Sequence, residues 1–190
     1  MNKSTIIILD WDNTLYPTTY VVENNINITD LKMTSFFEKL DVTLYVFLKE
    51  LMTKGKVIIV TNAMLEWIHI SSSVLPKSRQ ILKKIKKISV RKYGNLGENN
   101  WKKIAFMKEM KKKYKNIIAI GDADYEYDAL VNLYYGLDTH YSKYLKFIKF
   151  IKNPDYDNII RQIVILRKYI SFICKIPDHL DIYFQPQKLK

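Results

Sequence analysis

Cysteine is almost absent from this chain. Cys174 stands alone, so no intrachain disulfide can form, and a reducing, cytoplasmic setting is the simplest expectation. Three scattered histidines beside that one thiol are too few soft ligands for a structural zinc site. Long uncharged apolar runs are missing too. A membrane-spanning helix needs about 18 or more such residues, and the best stretch, 159–176, is broken by Arg161, Arg167, Lys168 and Lys175. The first apolar run begins within a few residues of Met1, which leaves no room for a secretory leader. No Pro-rich linker, internal repeat or low-complexity block divides the 190 residues. One domain with a full core is therefore expected over 1–176, with a short C-terminal tail at 177–190.

Arginine is scarce as well. Only four of the 31 basic residues are Arg, and against 19 acids they give a formal net charge of +12. Such an excess can mark a nucleic-acid partner. Surfaces that read phosphate often favour the bidentate Arg fork, however. A chain rich in Ile, Asn, Tyr and Lys but poor in Ala and Gly has the look of an AT-rich coding sequence. Composition bias is the preferred explanation, and nucleic acid stays the less favoured partner. The lysine runs at 83–87 and 108–115 read as solvated helix faces.

What is present is a regular alternation. The apolar, β-branched runs at 6–9, 57–60 and 117–120 are short and continuous, the pattern of parallel strands covered on both faces. Residues 36–54 place Phe36, Phe37, Leu40, Leu44, Phe47, Leu48 and Leu51 at helical spacing and end at Gly55 as a C-terminal cap. Further helices are expected over 66–73, 76–85, 101–113, 129–134 and 156–173, with strands at 88–90 and, at the sheet edge, 145–151. The tail from Pro177 reads as loosely held. Strands alternating with helices predict an α/β fold: a doubly wound, mostly parallel sheet with helices on both faces and ligands at the carboxyl ends of the strands.

The chemistry-bearing residues gather at those ends. Asp10-Trp11-Asp12-Asn13-Thr14 follows the first run, Thr61-Asn62 closes the second, and Gly121-Asp122 closes the third, with Asp124, Glu126 and Asp128 beyond it. Lys102 and Lys103 stand near the start of the helix between. Two carboxylates one residue apart suit the making and breaking of a phosphate ester, because one can attack phosphorus while the other moves a proton. Trp11, between them, is expected in the core.

Taken in order, these four motifs resemble those of the haloacid dehalogenase (HAD) superfamily over roughly residues 5–130. The resemblance implies a HAD-type Rossmann-like core and Mg²⁺-dependent hydrolysis of a phosphomonoester through an aspartyl-phosphate. Asp10 would be the nucleophile, and Asp12 the general acid and then the base. Thr61, Asn62 and Lys102 would bind the phosphate, with Lys103 the competitor for the third motif. Mg²⁺ would be held by Asp10, the main-chain carbonyl of Asp12, and Asp122. The second acid departs from the usual GDxxxD pattern: Glu126 occupies it, either as a metal ligand through water or as a partner of Lys102, and Asp124 is its rival. Thr14 would order the turn. The spacing between motifs leaves room for a flap at about 16–32 and no cap domain, so the site should be open and able to accept large substrates. The substrate is a phosphorylated molecule whose class the sequence does not encode. Two alternatives stand beside this reading: a phosphatase specific for nucleic-acid ends, and a HAD-like module that binds or regulates without turnover. The paired acids Asp10 and Asp12 argue against the second.

Overall fold

The β-branched runs form the centre of the molecule. The computed structural model describes residues 4–30, 32–110, 114–136 and 143–186. Six strands occur among them: β1 (Thr5–Leu9), β2 (Lys56–Thr61), β3 (Lys86–Ser89), β4 (Asn116–Gly121), β5 (Tyr144–Lys149) and β6 (Leu180–Tyr183). They make one sheet in the order β3-β2-β1-β4-β5-β6, and every neighbouring pair is parallel. The helices are α1 (Thr18–Glu23), α2 (Met33–Phe36), α3 (Glu38–Lys54), α4 (Leu65–Ser71), α5 (Pro76–Leu82), α6 (Glu98–Glu109), α7 (Tyr125–Gly136) and α8 (Tyr156–Ile173).

Strand alternation divides the apolar side chains between two cores. Ile7, Leu9, Ile59, Ile118, Ile120 and Ile148 point to the face covered by α3, α5 and α8. Ile6, Ile8, Ile58, Val60, Ile117, Ala119 and Phe147 point to the face covered by α6 and α7. Each fully buried Ile contributes roughly 2 kcal/mol, which is why a central strand such as β1 is apolar at four consecutive positions. This is the doubly wound α/β architecture. The chain builds β1, β2 and β3 in one direction and then crosses to β4 on the far side of β1. That reversal opens a crevice between the carboxyl ends of β1 and β4. No helix among the described residues is long and apolar enough to cross a membrane.

Two buried ionic side chains fasten helices to this frame. Asp41 of α3 accepts from the main-chain N–H groups of Lys77 and Ser78 at 2.9 and 2.7 Å, closing the start of α5. Lys146 of β5 is fully buried and donates to the carbonyls of Ile173 and Ile176 at 2.5 and 2.7 Å, where α8 ends. Both satisfy the unpaired backbone groups that every helix end leaves.

The structure corrects several expectations. The tail is held: residues 180–183 form β6, with Leu180 and Ile182 packed against the core beneath α8. β5 therefore lies inside the sheet and not at its edge. α6 begins at Glu98, three residues before the expected Trp101, after Gly97 at a φ of 73°. Gly55 does cap α3, its N–H donating to the Leu51 carbonyl at 3.2 Å, but it is extended (φ −177°) and not left-handed; its requirement is space, since a Cβ there would lie 2.5 Å from the Thr5 carbonyl oxygen. Residue 31 of the flap, residues 111–113 of the helix and lysine run, and residues 187–190 of the tail lie outside the described residues.

Asp41→Ala should lower stability by about 2 kcal/mol, since it strips a buried, charged cap from two N–H groups. Urea unfolding should show a lower midpoint with an unchanged slope. An unshifted midpoint would mean that solvent replaces the cap.

Candidate active site

Asp10 is carried into the crevice by the sheet itself. Its N–H donates to the Ile120 carbonyl at 3.0 Å, which extends the β1–β4 pairing by one residue. The chain then turns sharply. Leu15 and Tyr16 donate to the Trp11 carbonyl at 2.9 and 3.0 Å, and Asn13 takes a left-handed φ of 54°. Asn is among the few side chains that tolerate this region, because its amide can bond the local backbone; here the Asn13 Oδ1 accepts from the Thr19 N–H at 2.9 Å. Trp11 is fully buried and stacks on Tyr16, as expected of a core residue.

Lys102 approaches from α6 on the opposite layer. It is 2% exposed and donates to Asp10 Oδ2 at 2.8 Å and to Glu126 Oε1. Burial alone would lower the lysine pKa; the charges of Asp10 and Glu126 outweigh it and hold the ammonium above its ordinary range. Glu126 arrives from the first turn of α7 and lies against Gly121, where a Cβ would come within 2.5 Å of its carboxyl carbon. Gly121 is thus required for Glu126 to reach Lys102. Burial pushes the Glu126 carboxyl upward, and Lys102 opposes that push.

These contacts separate the alternatives that the sequence leaves open. Lys102, and not Lys103, stands on Asp10; Lys103 lines a surface cleft with Met107 and Asn132. Glu126 holds Lys102, while Asp124 is exposed and paired with Lys149. Thr14 donates to Asp122 Oδ1 at 3.4 Å, tying the turn after β1 to the end of β4. Thr61 is fully buried at the end of β2; its Oγ1 accepts from the Ala63 N–H at 3.0 Å, which leaves the hydroxyl hydrogen for another acceptor. Asn62 is pinned by its carbonyl, which accepts from Arg91 Nε at 2.8 Å, while its buried side-chain Oδ1 has no partner among the described residues.

Asp12 is half-buried and differs from Asp10 in its partners. Its Oδ1 accepts from the Thr18 hydroxyl and, at 2.7 Å, from the Trp67 indole N–H. Burial raises its carboxyl above the ordinary value, the Thr18 bond draws it back, and the Asp10 charge raises it again. Sequence patterning does not single out Thr18, Trp67 or Arg91. Their only signal is position, just past the first motif, just past the second, and just past β3.

The donor set is unbalanced. Asp10, Asp12, Asp122 and Glu126 surround one ammonium, and Asp122 is pushed up to about 7 by burial and by the charge of Asp10. Among the described residues no three Asp, Glu, His or Cys side chains form a metal cluster. The set implied by the motifs uses only two side-chain carboxylates, Asp10 and Asp122, with the Asp12 carbonyl. These are hard oxygens carrying surplus negative charge, which fits Mg²⁺ with water completing its shell.

The lysine run at 83–87 spans the end of α5 and the start of β3, and Lys83 and Lys87 line a cleft with Leu65, Ile68 and His69 of α4. Lys86 opens β3, level with Ile58 of β2, and pairs with Glu109 at the end of α6. Lys87 donates to the Leu82 and Ile85 carbonyls past the end of α5. The chain matches no family model and no curated protein.

Asp122 gives a signed pH dependence. Its carboxyl ionises near its ordinary 3.8 in the unfolded chain but only at about 7 in the folded, metal-free one. Between those values the native state binds the extra proton, so this group lowers stability as pH rises. Asp122→Asn should therefore raise the melting temperature, relative to the native sequence in chelator, more at pH 8 than at pH 4. An equal difference at both pH values would refute the shift.

Proposed function

We propose that the chain is a Mg²⁺-dependent phosphatase of the HAD type, acting on a phosphomonoester through an aspartyl-phosphate. The observation that carries this reading is the contact between buried Lys102 and Asp10 at the crevice between β1 and β4, with Asp122 beside it and Asp12 two residues away. A carboxylate attacks a phosphate dianion only where the developing charge is neutralised. Lys102 supplies one fixed positive charge, and Mg²⁺ held by Asp10, the Asp12 carbonyl and Asp122 would supply the rest.

The side chains then set the course of the reaction. The Thr61 hydroxyl donates to a phosphoryl oxygen, and Lys102 fixes the orientation of Asp10. Asp10 attacks phosphorus, the bond to the leaving oxygen breaks, and that oxygen keeps the electron pair and takes the proton of Asp12. Water then gives a proton to Asp12 and attacks phosphorus, and the bond to Asp10 breaks with its electron pair returning to the carboxylate. Asp12 ends protonated, ready for another cycle. Burial raises the Asp12 carboxyl above its ordinary value, the direction that favours its protonated form.

The test is hydrolysis of 4-nitrophenyl phosphate with and without Mg²⁺. Turnover should require the metal, and Asp10→Asn should lower it by several orders of magnitude, as removal of a nucleophile does, while the fold is retained. Full activity in excess chelator, or in the folded Asp10→Asn variant, would sink the reading.

A further inference from the structure

Asp12 is held more firmly than its exposure requires. A half-buried carboxylate at a crevice can be solvated by water, yet two side chains reach it, Thr18 six residues on in α1 and Trp67 fifty-five on in α4. Both donors address Oδ1. Among the described residues none addresses Oδ2.

The indole is itself anchored. Its ring stands edge-on to Tyr16, centroids 6.1 Å apart, and Tyr16 stacks on Trp11 at 5.9 Å. The Trp67 carbonyl accepts from the Ser71 hydroxyl at 2.6 Å, and Ser71 Oγ in turn accepts from the Trp11 indole at 3.0 Å. The two tryptophans and Ser71 are thus linked by hydrogen bonds and ring packing, with the Trp67 N–H as their outlet at Asp12. Thr18 is fixed from the other side, its own N–H donating to the Tyr16 carbonyl at 2.9 Å.

We infer that Trp67, with Thr18, is a positioning residue for the proposed phosphatase reaction: the pair tethers Asp12 Oδ1 so that Oδ2 carries the proton to the leaving oxygen. The inference rests on the reading of Asp12 as general acid. A carboxyl free to rotate would present either oxygen, and a small misplacement of a catalytic group costs large factors in rate. Tethering one oxygen makes the other the transferring atom. The consequence is discrimination among leaving groups. An alkoxide must be protonated as the bond to phosphorus breaks, whereas 4-nitrophenolate departs without a proton. The tether should matter for alkyl phosphates and much less for activated aryl phosphates.

The experiment compares kcat/KM, which reports the leaving-group step, for n-propyl phosphate and 4-nitrophenyl phosphate. Asp12→Asn should depress the alkyl/aryl ratio most, since a general acid contributes about 10²- to 10⁴-fold. Trp67→Phe keeps the ring and loses the donor, and should depress the same ratio by about tenfold or more, within the range that Asp12 itself sets. Thr18→Val, which leaves the aromatic cluster untouched, should move the ratio in the same direction. If Trp67→Phe and Thr18→Val lower both substrates equally while Asp12→Asn changes the ratio, the two residues are merely structural and the inference fails alone. If Asp12→Asn leaves the ratio unchanged, Asp12 is no acid, and the functional reading falls with it.

Discussion

One buried ammonium makes the carboxyl end of this sheet tenable. Four acids approach each other where β1 and β4 end, and in a medium that screens charge poorly their mutual repulsion would oppose folding. Lys102 answers two of them directly. Removing one partner of such a buried set typically costs about 3–5 kcal/mol, because the remaining charge is left uncompensated. The arrangement depends on small details around it. Gly121 gives Glu126 room to lie across the end of β4, and α6 must run close enough for a lysine in its second turn to span the sheet. The crossover that makes β1 and β4 neighbours is what brings the acids together.

Much of this frame is legible in the sequence. Ile6 to Leu9 and Ile117 to Ile120 read as covered strands because burial on both faces forbids the usual alternation with polar residues. Asp10, Thr61 and Asp122 read as site residues because each comes directly after such a run. Lys102 is harder, since lysine is common throughout and its burial is set by α6 packing. The indole bond to Asp12 spans fifty-five residues and has no local signature. β6 escapes for a different reason: four residues of alternating pattern after Pro177 carry little weight alone, and only the edge of β5 turns them into a strand. The start of α6 is hidden because Gly97 gives no side-chain cap to mark it.

The lysine excess is partly accounted for by the fold. Lys146 and Lys87 close the carbonyl ends of helices, where positive charge meets the negative end of the helix dipole. Lys86 and Lys56 share Glu109 at the end of α6. These lysines have structural partners within the fold.

The two acids are positioned by different parts of the fold. Asp10 is positioned by the sheet and by α6, elements whose packing involves both cores. Asp12 is positioned through one oxygen by the connections leaving β1 and β2, which carry the short α1 and α4. A nucleophile must keep a fixed line to phosphorus, and the rigid frame provides it. A group that gives a proton to one oxygen and later takes one from water must face two partners in turn. On the proposed phosphatase reading, holding Asp12 by Oδ1 among the described residues fixes its place and leaves Oδ2 for both partners, whereas Asp10 is held by the β1–β4 pairing and by Lys102.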